Sequence, residues 1–576
     1  MTGLASPPPP NPDFAKALQG LLVDEKQLPT DLRLHFKQRL TRLYQANAYQ
    51  PLWQPTAIAA FSRALDALLL DGLRDDAYRL SSLLFVLEDP QLAPADAEEW
   101  ALLDLSLSEA LLRLLYNLEY GKVDPEQLDA DFNYPKARKI KGDIEDRQLL
   151  GWIKQGDMEQ LLTSARPRHL QYQQLRQALV DHYQHKGSEG WQQIPSGRAL
   201  QPGMKDARIP LLRQRLDVKP ALEEEPNRYD ELLEQAVRDF QEERNLTVDG
   251  VIGPVTLEAL NITIDQRIEQ IRINLERQRW FDPLAVEEYL LIDVAGFKLR
   301  WIFQGESIWE ERVQVGKPAT KTPIFRDQVE HLIFNPTWSV PPGINQRTIL
   351  PSLKIDPNYL DKKGYQLLDE QGKRIDPASI DWKSLDKMPF IVRQPPGNNN
   401  ALGRVKFMFP NKHHVFLHDT NHRELFSREV RTTSSGCVRL RDPFELAERL
   451  LGRQGWDRAR IDQVLAGGAT QQVNLDQPLP IFIRYLTAEA TETGVNFRND
   501  IYRRDAEVLA RLDAPFALHL ADVGKQQQAK IRASLRSASK SDHLPAEPEV
   551  IDLPEEEPSA PSAPPATKWK ASFIDI

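Results

Sequence analysis

Thr433-Ser434-Ser435-Gly436-Cys437-Val438-Arg439-Leu440 is the stretch on which the reading of this chain turns. It holds the only cysteine among 576 residues. Upstream, His418 closes the apolar run Val415-Phe416-Leu417. A cysteine and a histidine together can supply a thiolate nucleophile and its base. Gly436, directly before the cysteine, lets the backbone turn tightly and approach a substrate with no Cβ in the way. Arg439, two residues on, brings a fixed positive charge suited to a carboxylate. A lone cysteine is also often a small buried hydrophobe, so the rest of the chain must decide between the two.

The totals bound the answer. A length of 576 residues is enough for roughly three to four domains. With 41% hydrophobic and 27% charged residues, the composition is that of a globular protein. A net charge of −10 and a pI near 5.7 argue against a nucleic-acid partner, which needs a basic footprint. A single cysteine excludes an intrachain disulfide and leaves the redox compartment open. No run of about twenty apolar residues is present, so no membrane-spanning helix is expected. The Pro-rich stretch Met1 to Pro12 lacks the basic start and apolar core of a secretory signal. That leaves a cytoplasmic protein, a truncated or mis-set start, or export by another route.

Outward from the cysteine the chain reads as an α+β multidomain protein. Residues 1–12 are expected to be disordered, and 13–190 to form a strand-poor helical scaffold. Its ladders are Leu65, Leu68, Leu69 and Leu73, then Leu105, Leu111, Leu112 and Leu115. This region has no polar cluster resembling a site and reads as scaffold or partner surface. After a looser stretch, Gly187 to Pro202, Tyr229, Leu232, Leu233, Ala236 and Phe240 follow a helix's buried face. Asp249-Gly250 then makes a turn, and Gly253-Pro254 starts a new helix with Pro254 at its first position. This run resembles the small three-helix peptidoglycan-binding module, assigned to 203–262; such a module can also persist as a packing unit without binding glycan.

A connecting helix, Ile264 to Arg279, leads to a mostly-β domain at 280–520. Strands are expected at Tyr289 to Val294, Lys298 to Phe303 and Ser307 to Val315, an antiparallel meander with turns at Gly296 and Gln304-Gly305-Glu306. Others are expected at His331 to Asn335, Val405 to Met408, His414 to Leu417 and Ile481 to Leu486. Pro443 to Leu451 reads as a helix capped by Asp442. Residues 343–403 read as a long, polar, irregular insertion, either a lid or a packed excursion. Residues 525–576 are rich in Pro, Glu and Ala and read as a disordered tail.

Lys406-Phe407-Met408-Phe409-Pro410-Asn411, Leu417-His418-Asp419-Thr420 and Ser434-Ser435-Gly436-Cys437-Val438-Arg439 together resemble the signature of L,D-transpeptidases, the YkuD-like family. The long, YcbB-like form is the most similar, with its scaffold, peptidoglycan-binding module and lidded catalytic domain. Gly316 with Thr322-Pro323, Asn335 to Pro341, Asp500-Ile501-Tyr502, Tyr49 to Trp53 and Leu118 to Pro125 extend the likeness. Short members carry a histidine directly before the motif glycine; this chain has Ser435 there, which leaves His418 as the base.

The resemblance implies a peptidoglycan L,D-transpeptidase, an acyltransferase acting in peptidoglycan biosynthesis, cell-wall organisation and cell shape. Cys437 would attack the bond between the stem's third residue and D-alanine, and a second stem's amine would resolve the thioester into a 3-3 cross-link. His418 would be the base, oriented by a backbone carbonyl near Asp419. The amides of Gly436 and Cys437 would hold the oxyanion. Arg439 would hold a substrate carboxylate or brace the loop. Ser435 and Asp419 would touch substrate or hydrogen-bond behind it, and Trp338 would be core or a substrate wall. His413, His414 and His422 lack zinc-ligand spacing, and no metal or organic cofactor is implied. Expected partners are stem peptides and glycan, cell-wall synthesis proteins on the scaffold, and carbapenem β-lactams. The substrate implies the periplasm. The same nucleophile would equally serve an L,D-carboxypeptidase or a protein-to-peptidoglycan ligase, and a decayed domain would leave a peptidoglycan-binding scaffold.

Overall fold

The computed structural model describes residues 11–516 except 25, 27, 30, 31, 75–82, 84–93, 131, 135–144, 187–191, 245, 282–285 and 493. The expected disordered tail, 525–576, lies outside the described residues, as does all but the end of 1–12. At that end Asn11 accepts a hydrogen bond from the Asp13 amide at 2.8 Å, and Pro12 opens helix Pro12–Val23. A side-chain cap followed by proline is a strong start signal, so helix begins inside the segment read as disordered.

The scaffold helices Pro12–Val23, Lys37–Ala46, Pro55–Leu69, Ala97–Tyr120, Asp146–Gln155 and Met158–Ala165 share one apolar core. Leu105, Leu111, Leu112 and Leu115 are all buried in it, as are Leu68 and Leu73, whereas Leu69 is exposed. The scaffold core does not extend to 190. Helix Leu170–His185 leaves it and packs Tyr172, Leu175 and Leu179 against Ile268, Ile271 and Leu275 of helix Ile264–Arg279.

That helix does more than connect. Thr263 and Gln266 close a reciprocal capping box at its start. Along it, Arg272 donates to Gly72 O at 2.9 Å and pairs with Asp513 at 2.7 Å, while Arg277 pairs with Asp505 at 2.7 Å. Arg279 pairs with Glu276 at 2.7 Å, both fully buried, and Glu276 accepts the Val123 amide. Its charged faces are thus buried between scaffold and catalytic domain. Removing one member of such a pair strands the other charge, at a cost of about 3–5 kcal/mol.

The peptidoglycan-binding module has helices Ile209–Leu216, Glu231–Glu243 and Pro254–Leu260 around Leu200, Ile209, Leu212, Leu233, Val237 and Ile252. Its middle helix buries Leu233, Val237 and Gln241, at a spacing of four that continues from buried Tyr229 just before the helix, while Leu232 faces solvent and Ala236 and Phe240 are half-buried. The expected ladder was therefore rotated, because the buried polar Gln241 belongs to the stripe. Its amide donates to Asp249 Oδ1 and Val251 O at 3.0 Å and accepts from Gly250 N at 2.9 Å, holding the Asp249-Gly250 turn. The looser stretch before the module also joins it, since Ile194 and Asn261 exchange two hydrogen bonds of 2.9 Å.

The catalytic domain is a barrel. Strands β1 (Glu288–Asp293), β2 (Lys298–Phe303), β3 (Glu306–Gly316) and β4 (Arg326–Phe334) come first. The cap follows with β5 (Trp338–Ser339), β6 (Gln366–Leu368), β7 (Arg374–Ile375) and β8 (Ile391–Gln394). Then come β9 (Val405–Met408), β10 (Leu417–His418), β11 (Thr432–Ser434), β12 (Val438–Leu440), β13 (Gln471–Arg484), β14 (Ala488–Thr491) and β15 (Gly494–Phe497). The large sheet runs β11-β3-β12-β10-β9-β4-β13-β1-β2, and β2 also pairs with β3, closing the ring. The expected β1–β2–β3 meander is present, but β1–β13, β10–β12 and β11–β3 pair parallel.

Two strands differ from expectation for local reasons. His414 has a φ of 54°, which no strand residue adopts, so β10 starts at Leu417. β13 begins ten residues early because a register shift between Asn474 and Leu479 absorbs Pro478. Asp442 does sit at the N-cap of helix Pro443–Gly452, but its side chain makes no capping bond.

The insertion is not irregular. It is a small folded cap with sheet β5-β8-β6-β7 and its own core of Val340, Ile349, Leu350, Leu353, Leu360, Leu367, Trp382 and Val392. Its elements are two to six residues long, too short to show a period in sequence. Asn400 ties its two ends together, donating to Pro336 O at 3.0 Å and Pro395 O at 2.9 Å. A core of its own predicts separable stability. Leu353→Ala, at a fully buried position, should destabilise the cap by about 2–5 kcal/mol. Limited proteolysis should then cut within 343–403 well before the barrel; uniform digestion would refute an independent cap.

Candidate active site

The site follows from side-chain alternation on three short strands. On one face, Val405, Phe407, Leu417, Val438 and Leu440 are fully buried in the barrel core. The alternate residues therefore share the other face: Lys406 on β9, His418 on β10 and Arg439 on β12. Register aligns them, since Lys406 and Arg439 each pair with His418, and Gln314 of β3 pairs with Arg439. Cys437 immediately precedes β12, two residues before Arg439. His418 is buried, Cys437 half-buried and Ser435 exposed.

The cysteine loop is held from behind. Gly436 has a φ of 125°, a region open essentially to glycine, and a Cβ there would meet nothing nearer than 3.9 Å. Backbone conformation, not space, requires the glycine. Its carbonyl accepts Thr322 Oγ1 at 2.8 Å, Thr322 Oγ1 also accepts Gly316 N at 2.9 Å, and Tyr502 OH donates to Gly316 O at 2.6 Å. Ser434 Oγ donates to Cys437 O at 2.5 Å and accepts the Gly436 amide at 3.1 Å. Of the two amides expected to form an oxyanion hole, the one at Gly436 is thus committed to Ser434 at rest.

His418 Nδ1 lies 2.6 Å from Asp419 O, so a neutral ring oriented by that carbonyl carries its proton on Nδ1. Burial pushes its pKa down to about 3; the Arg439 charge and, more weakly, Lys406 push the same way, against hydrogen bonding to the Asp419 and Leu402 backbone. Burial pushes the Cys437 thiol up, opposed by a backbone hydrogen bond at Phe416 and by the charges of Arg439 and Lys406. The thiol donates a hydrogen bond to His414 O at 3.6 Å. At rest the pair is neutral thiol and neutral imidazole.

Arg439 Nε is buried with no hydrogen-bond partner among the described residues. An unmet buried donor costs about 1–3 kcal/mol, so this guanidinium is poised for an anion arriving beside the cysteine. Asp419 is placed differently. Its buried carboxylate accepts Arg404 N at 2.8 Å, Thr420 N at 2.7 Å and Arg423 Nη2 at 2.8 Å. It braces the loop behind His418. Trp338 is half-buried where the cap core meets the barrel core.

Sequence reading missed four supports. Lys406 lies over the Phe416 ring at 5.5 Å. Asn411 shapes the turn that presents His414 O, bonding Phe409 O at 2.8 Å and Val415 O at 2.7 Å. Thr322 and Tyr502 form the brace behind Gly436. All four stand in quoted motifs, but only the folded chain shows what they touch.

Residues 287–467 match the family described as "L,D-transpeptidase catalytic domain" (YkuD), 38–179 the "Scaffold domain", and 211–260 the "Putative peptidoglycan binding domain". A curated "Putative L,D-transpeptidase" of Haemophilus influenzae is 38% identical over 220 residues, which cover 38% of this chain and 45% of that protein. The match thus spans under half of the relative's length. Among solved structures, an L,D-transpeptidase from Mycobacterium smegmatis is similar at 12% identity and a TM-score of 0.17, covering 34% of this chain and 58% of that one. One from Xylanimonas cellulosilytica is similar at 14% identity and a TM-score of 0.16, covering 50% and 99%. The chain therefore carries a YkuD-type L,D-transpeptidase catalytic domain together with a peptidoglycan-binding domain.

Two outcomes are expected. Gly436→Ala should store about 1–3 kcal/mol of strain in the cysteine loop and slow Cys437 acylation roughly ten- to a hundredfold, read by intact-mass kinetics. Alkylation of Cys437 by iodoacetamide should climb beyond the ordinary thiol value of 9.0, because the raised pKa keeps the thiolate scarce below it. It should show no inflection at 6.5, because His418 stays neutral there. Arg439→Gln removes a charge that lowers the thiol pKa, so the climb should move to higher pH. A plateau reached near neutrality would contradict this electrostatic picture.

Proposed function

We propose that this protein is a peptidoglycan L,D-transpeptidase that forms 3-3 cross-links between stem peptides through a thioester on Cys437. The observation that carries the reading is the β10–β12 register. It pairs His418 with Arg439, two residues after Cys437, and the buried Nε of that arginine has no hydrogen-bond partner among the described residues, which supports a site for an anionic substrate beside the thiol.

Cys437 Sγ attacks the carbonyl between the diamino acid at stem position three and the terminal D-alanine. Its proton passes to His418, whose ring is neutral at rest and so has a free lone pair; burial and the neighbouring cations oppose the transfer until a substrate carboxylate offsets Arg439. The oxyanion is held by the Cys437 amide. Collapse breaks the C–N bond, His418 returns the proton to the departing amine, and D-alanine leaves. The side-chain amine of a second stem then attacks the thioester and gives up a proton to His418; the new amide forms and the thiol is restored. Arg439 binds a substrate carboxylate through the guanidinium edge left open. The cap covers the donor and limits hydrolysis, its return leg reaching the site at Leu402. The peptidoglycan-binding domain holds glycan, and the scaffold offers a surface to cell-wall synthesis proteins. The substrate places the protein outside the cytoplasm, in the periplasm; among the described residues no helix is long and apolar enough to cross a membrane.

The test is mass spectrometry after incubation with disaccharide-tetrapeptide, wild type beside Cys437→Ala. An adduct on Cys437, free D-alanine and a 3-3 dimer are expected from the wild type alone. Free D-alanine without dimer would favour a carboxypeptidase, and no adduct on bound substrate would remove the enzyme reading. Meropenem should acylate Cys437 and leave Cys437→Ala at its native mass.

A further inference from the structure

The Asp500-Ile501-Tyr502 motif and a cavity beside it are left unused by the chemistry above. The cavity, about 180 Å³, lies where the segment Pro125 to Tyr134, helix Ile264–Arg279 and residues 484–508 meet. Its apolar walls include Leu128, Phe132, Trp280, Ile324 and Val508. A dry cavity of about 150 Å³ accepts benzene, so this one has room for a ring-sized body.

Its charge is unbalanced. Arg484 is 7% exposed, yet its hydrogen bonds go to neutral groups, Gln278 Oε1 at 2.9 Å and Arg277 O at 3.3 Å, and it lies over the Phe281 ring at 4.7 Å. Arg503 lines the same cavity with no carboxylate partner among the described residues. Arg504 pairs with Asp129 at 3.0 Å through Nη1, but its buried Nε has no acceptor among the described residues. The wall's carboxylates are engaged, since Asp129 holds Arg504 and Glu507 pairs with Arg511 at 3.2 Å. A buried cation hydrogen-bonded to neutral groups, whose neighbouring carboxylates Asp293 and Glu489 are already paired with Arg498, beside an unmet guanidinium N–H, is the chemistry of an anion site.

The cavity also touches the brace of the cysteine loop. Its wall residue Lys321 donates to Tyr502 O at 2.8 Å. Tyr485, another wall residue, stacks on Tyr502 with ring centroids 5.5 Å apart and accepts the Tyr502 amide at 2.9 Å. Tyr502 OH accepts Thr322 N at 3.1 Å, and Thr322 holds Gly436 O. Arg503, next in the chain, stands at a φ of 54°, so the segment is shaped against ordinary backbone preference at the cavity mouth.

We propose that this cavity binds a small organic anion with an apolar body, its acidic group on Arg484 and Arg503, and that occupancy alters the reactivity of Cys437 through Tyr502 and Thr322. Tyr502 is here a positioning residue and never touches substrate.

Benzoate is the probe, with benzyl alcohol as its neutral counterpart, on the full chain. Calorimetry should show saturable benzoate binding at least tenfold tighter than benzyl alcohol. Saturation should change the iodoacetamide alkylation rate of Cys437 at least twofold, a readout that needs no transpeptidase activity. Val508→Trp should fill the cavity and abolish both effects while keeping the basal alkylation rate. Arg503→Glu, an exposed change that spares the core, should weaken benzoate at least tenfold. Equal binding of the two probes would overturn the proposal. So would benzoate binding untouched by both substitutions, or an alkylation rate unmoved at saturation.

Discussion

Leu417 opposite Val438 and His418 opposite Arg439 are the two parallel pairings on which the site depends. Strands of two and three residues cannot hold a register alone, yet a slip of one position would turn His418 into the core and Leu417 out of it. Neighbours hold it: β9 pairs antiparallel with β10, β3 with β12, and β2 closes the ring onto β3. A closed barrel leaves its strands no free edge along which to slide. The catalytic face is thus fixed by the whole circuit, with fully buried Leu417, Val438 and Phe407 as ballast on its reverse.

On that face burial and charge act together on the histidine and in opposition on the thiol. Burial is the larger influence on both, and it leaves them neutral. Lys406 and Arg439 flank His418 across the strands, so an imidazolium formed there is disfavoured while the site is empty. On the proposed reading, a substrate carboxylate against Arg439 offsets one of those charges and makes the histidine a better base when a donor is present. The same cations stabilise the thiolate once the proton has moved. Reactivity is thereby tied to occupancy, which protects a cysteine that has no resolving partner in this chain.

The family of the catalytic domain was legible in the sequence because its signature rests on residue types at fixed spacing: Cys437, Gly436, Arg439 and His418 stand in short motifs within the matched segment. The three-helix module and the first meander were legible because their turns carry glycine and proline. What failed to show has identifiable causes. The cap's elements are too short for a period and read as irregular. Helix Ile264–Arg279 read as a mere connector because its arginines and glutamate look solvated, whereas partners from distant segments bury them. The middle helix of the module was rotated in the reading because Gln241, a polar residue, shares its buried stripe. Parallel pairing has no local signature, so the neighbour of β10 could not be named. Asp419 looked like a site residue by adjacency, and its three hydrogen bonds show a brace.

The working unit is also larger than the segment that matches a catalytic domain. That match ends at 467, before β13, although β13 is the strand that joins β1 to β4 and so completes the barrel. Beyond it, Tyr502 reaches back to Gly316 and Thr322, and Asp505 and Asp513 meet the buried arginines of helix Ile264–Arg279. A chain cut at the end of the match would lose a ring strand, the support behind Gly436, and the counter-charges of Arg272 and Arg277 together. Unpaired β1 and β4 edges, a buried Arg277 stripped of its carboxylate and an Arg272 left with Glu269 alone would each be costly. The loop that carries Cys437 therefore depends on the helix before the barrel and on residues up to Asp513 after it. For that reason scaffold, connecting helix and barrel are best regarded as one cooperative body rather than as modules on a string.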